Sequence, residues 1–309
     1  MKTAFVFPGQ GSQYVGMGRS LSERFVAALS TFDEADRALG FSLTELCFDG
    51  PAETLQLTEN MQPALLTVSV ASWRVLQEHG VQADYVAGHS LGEYAALVAA
   101  GSLSFPDAVR LVRKRGQYMQ EAVPTGTGAM AALLKLPHGK LDAILAEAAG
   151  SEVVTAANLN SPDQVVIAGH AGAVARAVDL AKAAGARRAI LLPVSAPFHC
   201  PLMEPAQTRL ADDLNVTEFR DLTVPLVNGW QARVIRTGAE ARDGLYHQVP
   251  NPVLWTEVIH KLTSLGVSRF IEVGAGGVLT GLLRNINGEL EGSKFGEALD
   301  LEKVHAAIA

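Results

Sequence analysis

The chain has 309 residues, a formal net charge of −7 at pH 7 and 48% hydrophobic residues. This composition provides a large buried core, and the acidic balance excludes a general nucleic-acid-binding protein. Two cysteines cannot build a disulfide framework, no Cys/His cluster has zinc-site spacing, and no apolar run reaches the length of a membrane span or a signal-peptide core. We therefore expect a cytoplasmic protein that contacts neither nucleic acid nor membrane.

The first part of the chain alternates between strand and helix patterns. The predicted elements are strands at 3–7 and 84–88 and helices at 63–79, 91–100 and 104–123. Pro63 is expected in the first turn of its helix, where a missing N–H is tolerated. Alternation of this kind favours a parallel α/β sheet.

From residue 126 to 195 the order of elements changes. The predicted elements are strand 128–136, helix 137–149, strands 153–158 and 164–169, helix 171–184 and strand 187–194. The order β-α-β-β-α-β is ferredoxin-like. We interpret 126–195 as a ferredoxin-like subdomain inserted into a large α/β subdomain made of 1–125 and 196–309. Helices near 200–213, 252–265 and 277–287 and a strand at 270–273 complete the large subdomain.

The motif GHSLG at 88–92 has the G-x-S-x-G pattern and lies between a predicted strand and a predicted helix. In that context Ser90 sits on a sharp turn, with its hydroxyl exposed at the helix N-terminus. The N–H of Leu91 can stabilise an oxyanion there, and the N–H of Gln10, in the glycine-rich loop after the first strand, is the candidate second donor. The alternative is a chance glycine-rich turn with a helix-capping serine.

A serine nucleophile needs a base, and His199 is the candidate among eight histidines. It ends the loop SAPFH at 195–199, just before a predicted helix, and a helix N-terminus keeps an imidazole neutral. His89 is next to the serine, but as its neighbour on a strand end it is expected to point elsewhere. Cys200 has no elbow around it and is interpreted as a core residue.

The helix over 104–123 carries one basic residue on its apolar face. At 3.6 residues per turn Arg115 falls in the middle of a stripe of apolar side chains, whereas Arg110, Arg113 and Lys114 fall on other faces. A buried guanidinium needs a partner. That partner is either an internal acid or a substrate carboxylate, which the planar fork binds with two parallel hydrogen bonds.

Seven motifs in order identify a family resemblance that covers nearly the whole chain. They are FVFPGQGSQ at 5–13, GHSLGEY at 88–94, RG at 115–116 followed by MQEAVPTGTGAMAA, NLNSPDQVVIAG at 158–169, FHCPLM at 198–203, QVPNPVLW at 248–255 and EVGAGGVLTGL at 272–282. The chain resembles the malonyl-CoA:acyl-carrier-protein transacylases of bacterial fatty acid synthesis and the related acyltransferase domains of polyketide synthases.

The resemblance implies an α/β fold with a hydrolase-like parallel-sheet core and an inserted ferredoxin-like α+β subdomain. It implies Ser90 as nucleophile, His199 as base, the N–H groups of Gln10 and Leu91 as oxyanion hole, and Arg115 as the group that holds the malonyl carboxylate.

The resemblance also implies roles for three further residues, which with Arg115 are assigned to substrate binding. Gln248 orients the histidine through its main-chain carbonyl, so no acidic third member is expected. Phe198, before the histidine, goes with malonyl rather than methylmalonyl groups. His89 is also assigned to substrate binding, with no more specific role.

The resemblance further implies malonyl-CoA as substrate and an acyl carrier protein as partner. The expected mechanism is a ping-pong transfer through a malonyl-serine, by a monomer that needs no metal, nucleotide or redox cofactor. The carrier is expected to be acidic, and the candidate basic patch that receives it consists of Arg176, Lys182, Arg187 and Arg188.

The chain departs from the family pattern at Ala275 and Gly277, where proline and lysine are usual, and at Pro197, where a small residue is common. The first departure puts in doubt any contact made by the missing lysine. Three other functions stay open: a serine hydrolase, a non-catalytic binding module with the same fold, and a trans-acting acyltransferase of a polyketide synthase or malonate decarboxylase system.

Overall fold

The computed structural model describes residues 1–194 and 196–308, which form two β-sheets flanked by helices. The N-terminal part contains β1 (Lys2–Phe7), α1 (Arg19–Arg24), α2 (Val26–Leu39), α3 (Leu43–Asp49), α4 (Ala52–Gln56), α5 (Thr58–Glu78), β2 (Tyr85–Gly88), α6 (Gly92–Ala99) and α7 (Phe105–Glu121). The helices α1 to α4 occupy a region for which the sequence patterns predicted no element.

The helix α5 begins earlier than its periodicity predicted. Pro63 was expected in the first turn but lies inside the helix. At this position the proline lacks the N–H that would bond to the carbonyl of Glu59, which is in the first turn of the helix. Most of α5 is buried between its neighbours, and it packs against α2, α6 and α7.

The middle of the chain forms the smaller sheet. Its elements are β3 (Gly128–Leu134), α8 (Leu141–Ala149), β4 (Val154–Ser161), β5 (Gln164–His170), α9 (Ala171–Ala183) and β6 (Arg188–Leu191). The strands are antiparallel in the order β4-β5-β3-β6, with a separate apolar core beneath α8 and α9. Ser195, the predicted last residue of this subdomain, lies outside the described residues, and the subdomain bounds stay a prediction.

The C-terminal part returns to the larger sheet. Its elements are a 3₁₀ turn (Pro201–Met203), α10 (Glu204–Val216), β7 (Leu226–Val227), β8 (Val234–Ile235), α11 (Gly238–Gln248), α12 (Trp255–Ser264), β9 (Val267–Val273), α13 (Val278–Ile286), β10 (Glu291–Phe295) and α14 (Asp300–Ile308). The helix predicted from about residue 200 starts at Glu204 instead, after the 3₁₀ turn. Of the helices described, none combines the length and apolarity that crossing a membrane requires.

The larger sheet has the order β10-β9-β1-β2-β7-β8 and is parallel except where β7 meets β8. Together with the separate antiparallel sheet, it confirms the predicted α/β fold class. The register of β1 and β2 pairs Phe7 with Gly88, so the two strands end side by side. Functional groups of open parallel sheets lie at such carboxyl ends, and the loops that carry Gln10 and Ser90 both start there.

The turn from β2 into α6 depends on glycines that allow backbone to approach backbone. A Cβ added to Gly88 would lie 2.0 Å from the backbone of Gly92, and a Cβ on Gly92 would lie 2.0 Å from the carbonyl oxygen of Phe7. Both distances are far below any real carbon contact, and the opposing atoms are backbone, which cannot rotate away. The two glycines of G-x-S-x-G are therefore required by packing.

We predict that Gly92→Ala destabilises the protein by roughly 2–4 kcal/mol, because the methyl group forces α6 away from the end of β1. The measurement is urea unfolding followed by circular dichroism. The matched control is Gly281→Ala on α13, where an added Cβ meets nothing within 4 Å. That control should be neutral or stabilising, because alanine favours a helix more than glycine does. Equal stability of the two variants would contradict the packing requirement.

Candidate active site

Ser90 lies on the sharp turn between the strand β2 and the helix α6. Its φ of 51° is in the left-handed region, which a non-glycine residue adopts only when the surrounding structure imposes it. Leu91 follows as the N-cap of α6, so its N–H is at the positive end of the helix. The turn places the serine hydroxyl at the carboxyl ends of the central strands of the larger sheet, as the G-x-S-x-G motif predicted.

A chain of two hydrogen bonds joins Ser90, His199 and Gln248. The Oγ of Ser90 is 2.7 Å from Nε2 of His199, and Nδ1 of His199 is 3.0 Å from the main-chain oxygen of Gln248. A carbonyl can only accept, so Nδ1 carries the proton and Nε2 is left as the acceptor for the serine O–H. This is the tautomer that a general base requires, and a main-chain carbonyl sets it, as the family resemblance implied.

Burial and a nearby charge keep His199 neutral. Desolvation, followed by the positive charge of Arg115, lowers the pKa of His199 from its ordinary 6.5 to about 3. The sequence predicted a neutral ring for a different reason, a following helix N-terminus. In the structure a 3₁₀ turn separates His199 from α10.

Arg115 lies on α7 with its side chain turned inward and only 2% exposed. Nη1 donates to Oε1 of Gln62 at 2.8 Å, and Nη2 donates to Oε1 of Gln248 at 3.0 Å and to Oγ of Ser90 at 3.1 Å. The guanidinium and the serine hydroxyl therefore share one site, and the burial of Arg115 is as the helical periodicity predicted. A Cβ on Gly116 would lie 2.7 Å from the carbonyl of Thr58, so α7 approaches α5 closely enough for Arg115 to reach Gln62.

The oxygens that hold Arg115 belong to two amides and a hydroxyl. Within 1–194 and 196–308, no Asp or Glu forms an ion pair with it. Arg110 and Lys114, on the other faces of the helix, pair with Asp107 and Asp213 at the surface. Of the two partners considered for Arg115, an internal acid is the one the structure does not provide.

Two residues that sequence reasoning missed complete this network. Gln62 holds one nitrogen of Arg115, and Glu93, fully buried on α6, accepts from the side-chain amide of Gln248 at 2.8 Å. Glu93 was detectable in principle, because it is the only charged residue in the apolar run GEYAALVAA. Gln62 had no local signal, because its partner is on another helix.

The loop that carries Gln10 packs against the turn that carries Ser90 and Leu91. Gly9, before Gln10, packs so tightly against the elbow that an added Cβ would lie 2.5 Å from the carbonyl oxygen of His89. Gln10 itself is in the exposed turn after β1. The structure thus brings the loops of Gln10 and Leu91 together beside Ser90, and their function as donors stays a prediction.

His89, Phe198 and Cys200 flank Ser90 and His199 in the sequence, and no side-chain hydrogen bond joins any of the three to Ser90. Nε2 of His89 pairs with Oδ1 of Asn160 at 2.8 Å, so the ring reaches across to the smaller sheet. Phe198 is buried beside His199 and belongs to the main apolar core. Burial raises the pKa of the Cys200 thiol to about 11, which agrees with its interpretation as a core residue.

Two of the three departures from the family pattern, Ala275 and Gly277, lie just before α13. Ala275 is fully buried, and a Cβ on Gly277 would have Cδ of Lys294 as its nearest neighbour, at 3.3 Å. The side chain of Lys294 therefore passes the position where the usual lysine would begin. In the described part of the chain, no group of three or more His, Cys, Asp or Glu side chains is arranged to hold a metal ion.

Comparisons with known proteins show which family the chain is similar to. The family model described as acyl transferase domain matches residues 4–292. The chain is 51% identical over 295 residues to the malonyl CoA-acyl carrier protein transacylase of Escherichia coli O157:H7, covering 95% of this chain and 96% of that relative.

Two solved structures are similar throughout. An acyl carrier protein S-malonyltransferase from Vibrio cholerae superposes with a TM-score of 0.96 at 48% identity, covering 98% of this chain and 100% of that one. A malonyl-transacylase in complex with a type II polyketide synthase acyl-carrier protein superposes with a TM-score of 0.97 at 45% identity, covering 99% of this chain and 100% of that one.

The pKa of His199 leads to a prediction about Ser90. Phenylmethylsulfonyl fluoride should modify Ser90 at a rate that stays flat from about pH 8 down to about pH 5, because a base whose pKa is about 3 is still unprotonated there. Intact-mass analysis measures the rate. A rate that halves near pH 6.5 would indicate an ordinary histidine instead.

The matched variants for this experiment are His199→Ala and His260→Ala. The first should slow modification roughly 10³-fold, the usual contribution of a general base. His260 is exposed on α12, so its replacement should leave the rate unchanged.

Proposed function

The chain belongs to the acyl transferase family and, within it, to the malonyl CoA-acyl carrier protein transacylases, and we propose a specific reaction for it. The proposed reaction moves a malonyl group from malonyl-CoA to the phosphopantetheine thiol of an acyl carrier protein through a malonyl ester of Ser90. The observation that carries this proposal is the buried guanidinium of Arg115, which is 3.1 Å from the serine hydroxyl and has no acidic partner among the described residues.

In the first half-reaction Nε2 of His199 takes the proton of Ser90 while Oγ attacks the thioester carbon of malonyl-CoA. The negative charge that forms on the carbonyl oxygen is placed toward the N–H groups of Gln10 and Leu91. The carbon–sulfur bond then breaks, and the leaving thiolate takes the proton back from His199. The products are coenzyme A and the malonyl ester.

In the second half-reaction the thiol of the carrier's phosphopantetheine gives its proton to His199 and attacks the ester. Oγ of Ser90 leaves and recovers the proton, which restores the free enzyme. Every step is an acyl or proton transfer, so the proposal includes no metal, nucleotide or redox cofactor.

Arg115 supplies the selectivity in this proposal. A malonyl group on Ser90 has its carboxylate one methylene away from the ester carbonyl, within reach of a guanidinium that already touches Oγ. Two parallel charge-assisted hydrogen bonds would replace the bonds to neutral oxygens. An acetyl group offers no carboxylate and would leave the buried guanidinium as it is in the free enzyme.

The contacts of the four candidate basic residues distinguish those already paired with an acid from those exposed to a carrier protein. Arg176 is bound to Glu152, and Lys182 lies beside Asp179. Arg187 and Arg188 are exposed at the start of the edge strand β6, which leads toward the loop of His199. These two arginines are therefore the better candidates for contact with an acidic carrier.

We predict that mixing the protein with malonyl-CoA adds one malonyl unit to its mass and that Ser90→Ala abolishes the gain. Arg115→Ala should lower kcat/KM for malonyl-CoA by about a hundredfold or more, because two charge-assisted hydrogen bonds are lost. The matched control is Arg110→Ala, on the same helix but at the surface, which should leave kcat/KM unchanged. A malonyl adduct that forms equally well in Arg115→Ala would contradict the assignment of the carboxylate site.

A second prediction separates the transferase from a hydrolase with the same elbow. With malonyl-CoA and a phosphopantetheinylated carrier protein, malonyl-carrier should accumulate in proportion to released coenzyme A. Mass spectrometry of the carrier and a thiol assay measure the two products. Free malonate together with an unmodified carrier would identify a hydrolase. Pairing fatty acid and polyketide carriers in the same assay shows which pathway the enzyme serves.

A further inference from the structure

A buried acid lies behind the arginine of the site. Glu93 is fully buried on α6, and its Oε2 accepts hydrogen bonds from the side-chain amide of Gln248 at 2.8 Å and from the N–H of Gly229 at 3.1 Å. The same Gln248 accepts from Nη2 of Arg115 through its Oε1. One neutral amide therefore separates the negative charge of Glu93 from the positive charge of Arg115.

These two charges stabilise each other when Glu93 is ionised. The electrostatic attraction to Arg115 favours ionised Glu93, and Glu93 in turn favours protonated Arg115. Tyr94, on the same helix, also interacts with both. The groups that reach Glu93 from other elements, the N–H of Gly229 and the amide of Gln248, do not titrate, and His199 responds to Arg115 and His89 rather than to Glu93.

The carboxyl group of Glu93 has room for a proton. Its Oε1 is buried and has no hydrogen-bond partner among the described residues, whereas both accepted bonds are on Oε2. A proton on Oε1 would leave the bonds to Gly229 and Gln248 intact. Burial already opposes the ionised form and raises the pKa of Glu93 to about 7.

We propose that Glu93 takes up one proton from solvent when the malonyl carboxylate binds Arg115. Substrate brings a second carboxylate to a buried site that contains one guanidinium, and two negative charges cannot both be compensated by it. Protonation of Glu93 restores neutrality and frees Arg115 for the substrate. This inference rests on the proposed function, since it requires a malonyl group on Ser90.

Protonation of Glu93 on binding fixes the direction in which the KM for malonyl-CoA changes with pH. Below pH 7 Glu93 is already largely protonated, and Arg115 is free for the substrate. Above pH 7 Glu93 is ionised and competes with the substrate carboxylate for the same positive charge. The KM for malonyl-CoA should therefore rise as the pH increases through about 7.

The first test uses the unaltered enzyme and counts protons. A pH indicator in weak buffer at pH 7 records the burst in which malonyl-CoA acylates Ser90, and intact mass records the adduct in the same sample. About half a proton per malonyl group should be taken up, because a group with a pKa of about 7 is half-ionised before binding. A malonyl adduct formed without proton uptake overturns the inference but leaves the proposed function standing. Absence of the adduct overturns both.

The second test uses Glu93→Gln, whose carboxamide oxygen can still accept from Gly229. Proton uptake should vanish in this variant. Between pH 6 and pH 8.5, the KM for malonyl-CoA should rise roughly fivefold more in the unaltered enzyme than in the variant, at the low end of typical coupling between sites. The ratio of the two KM profiles is used because titration of the substrate's own phosphates affects both profiles equally. Parallel profiles overturn the inference, and if the variant does not fold, the proton count on the unaltered enzyme decides.

Discussion

The site depends on a buried guanidinium that, among the described residues, forms hydrogen bonds only with neutral oxygens. Burying an unpaired charge is costly, and most proteins compensate it with an acid. Here Arg115 is held by Gln62, Gln248 and Ser90, and its charge is balanced at a distance by Glu93, one amide away. A direct ion pair would have to be broken before substrate could bind. In the proposed function, hydrogen bonds to amides and a hydroxyl would be exchanged for a carboxylate at much lower cost, because a malonyl group would bring a full negative charge and the amides would lose only dipole interactions.

Close contacts between backbone segments hold Ser90 and Arg115 in this arrangement. The ends of β1 and β2 are adjacent, and Gly88 and Gly92 let the start of α6 rest against the end of β1, which forces Ser90 into its left-handed conformation. Gly116 brings α7 against α5, so that Arg115 reaches the same point from the other side. Gln248 at the end of α11 then contacts the three central residues at once. Its main-chain oxygen holds His199, its side-chain oxygen accepts from Arg115, and its side-chain nitrogen donates to the carbonyl of Ser90.

Local patterns in the sequence predicted the parts of the site that have local causes. The strand–turn–helix context indicated Ser90, and the 3.6-residue period placed Arg115 on a buried face, because both depend on neighbours within a few turns of chain. Gln62 and Glu93 were missed because their function depends on partners far away in the sequence. The helices α1 to α4 were also not predicted: α1, α3 and α4 have only 6, 7 and 5 residues, and α2, α3 and α4 pack against α5, which is a tertiary contact. His199 was expected to be neutral, but the causes, burial and the charge of Arg115, are tertiary.

In the proposed function, the charge of Arg115 also links substrate recognition to the strength of the base. Burial, followed by the positive charge of Arg115, lowers the pKa of His199 to about 3, where the imidazole is a weak base. In the proposed reaction, a malonyl carboxylate bound to Arg115 would neutralise part of that charge and so would raise the pKa of His199 toward the range in which proton transfer from Ser90 is favourable. An acyl group without a carboxylate would leave the base weak. On this proposal, selectivity for a diacid acts on the chemical step as well as on binding, because both depend on a single cation beside the serine.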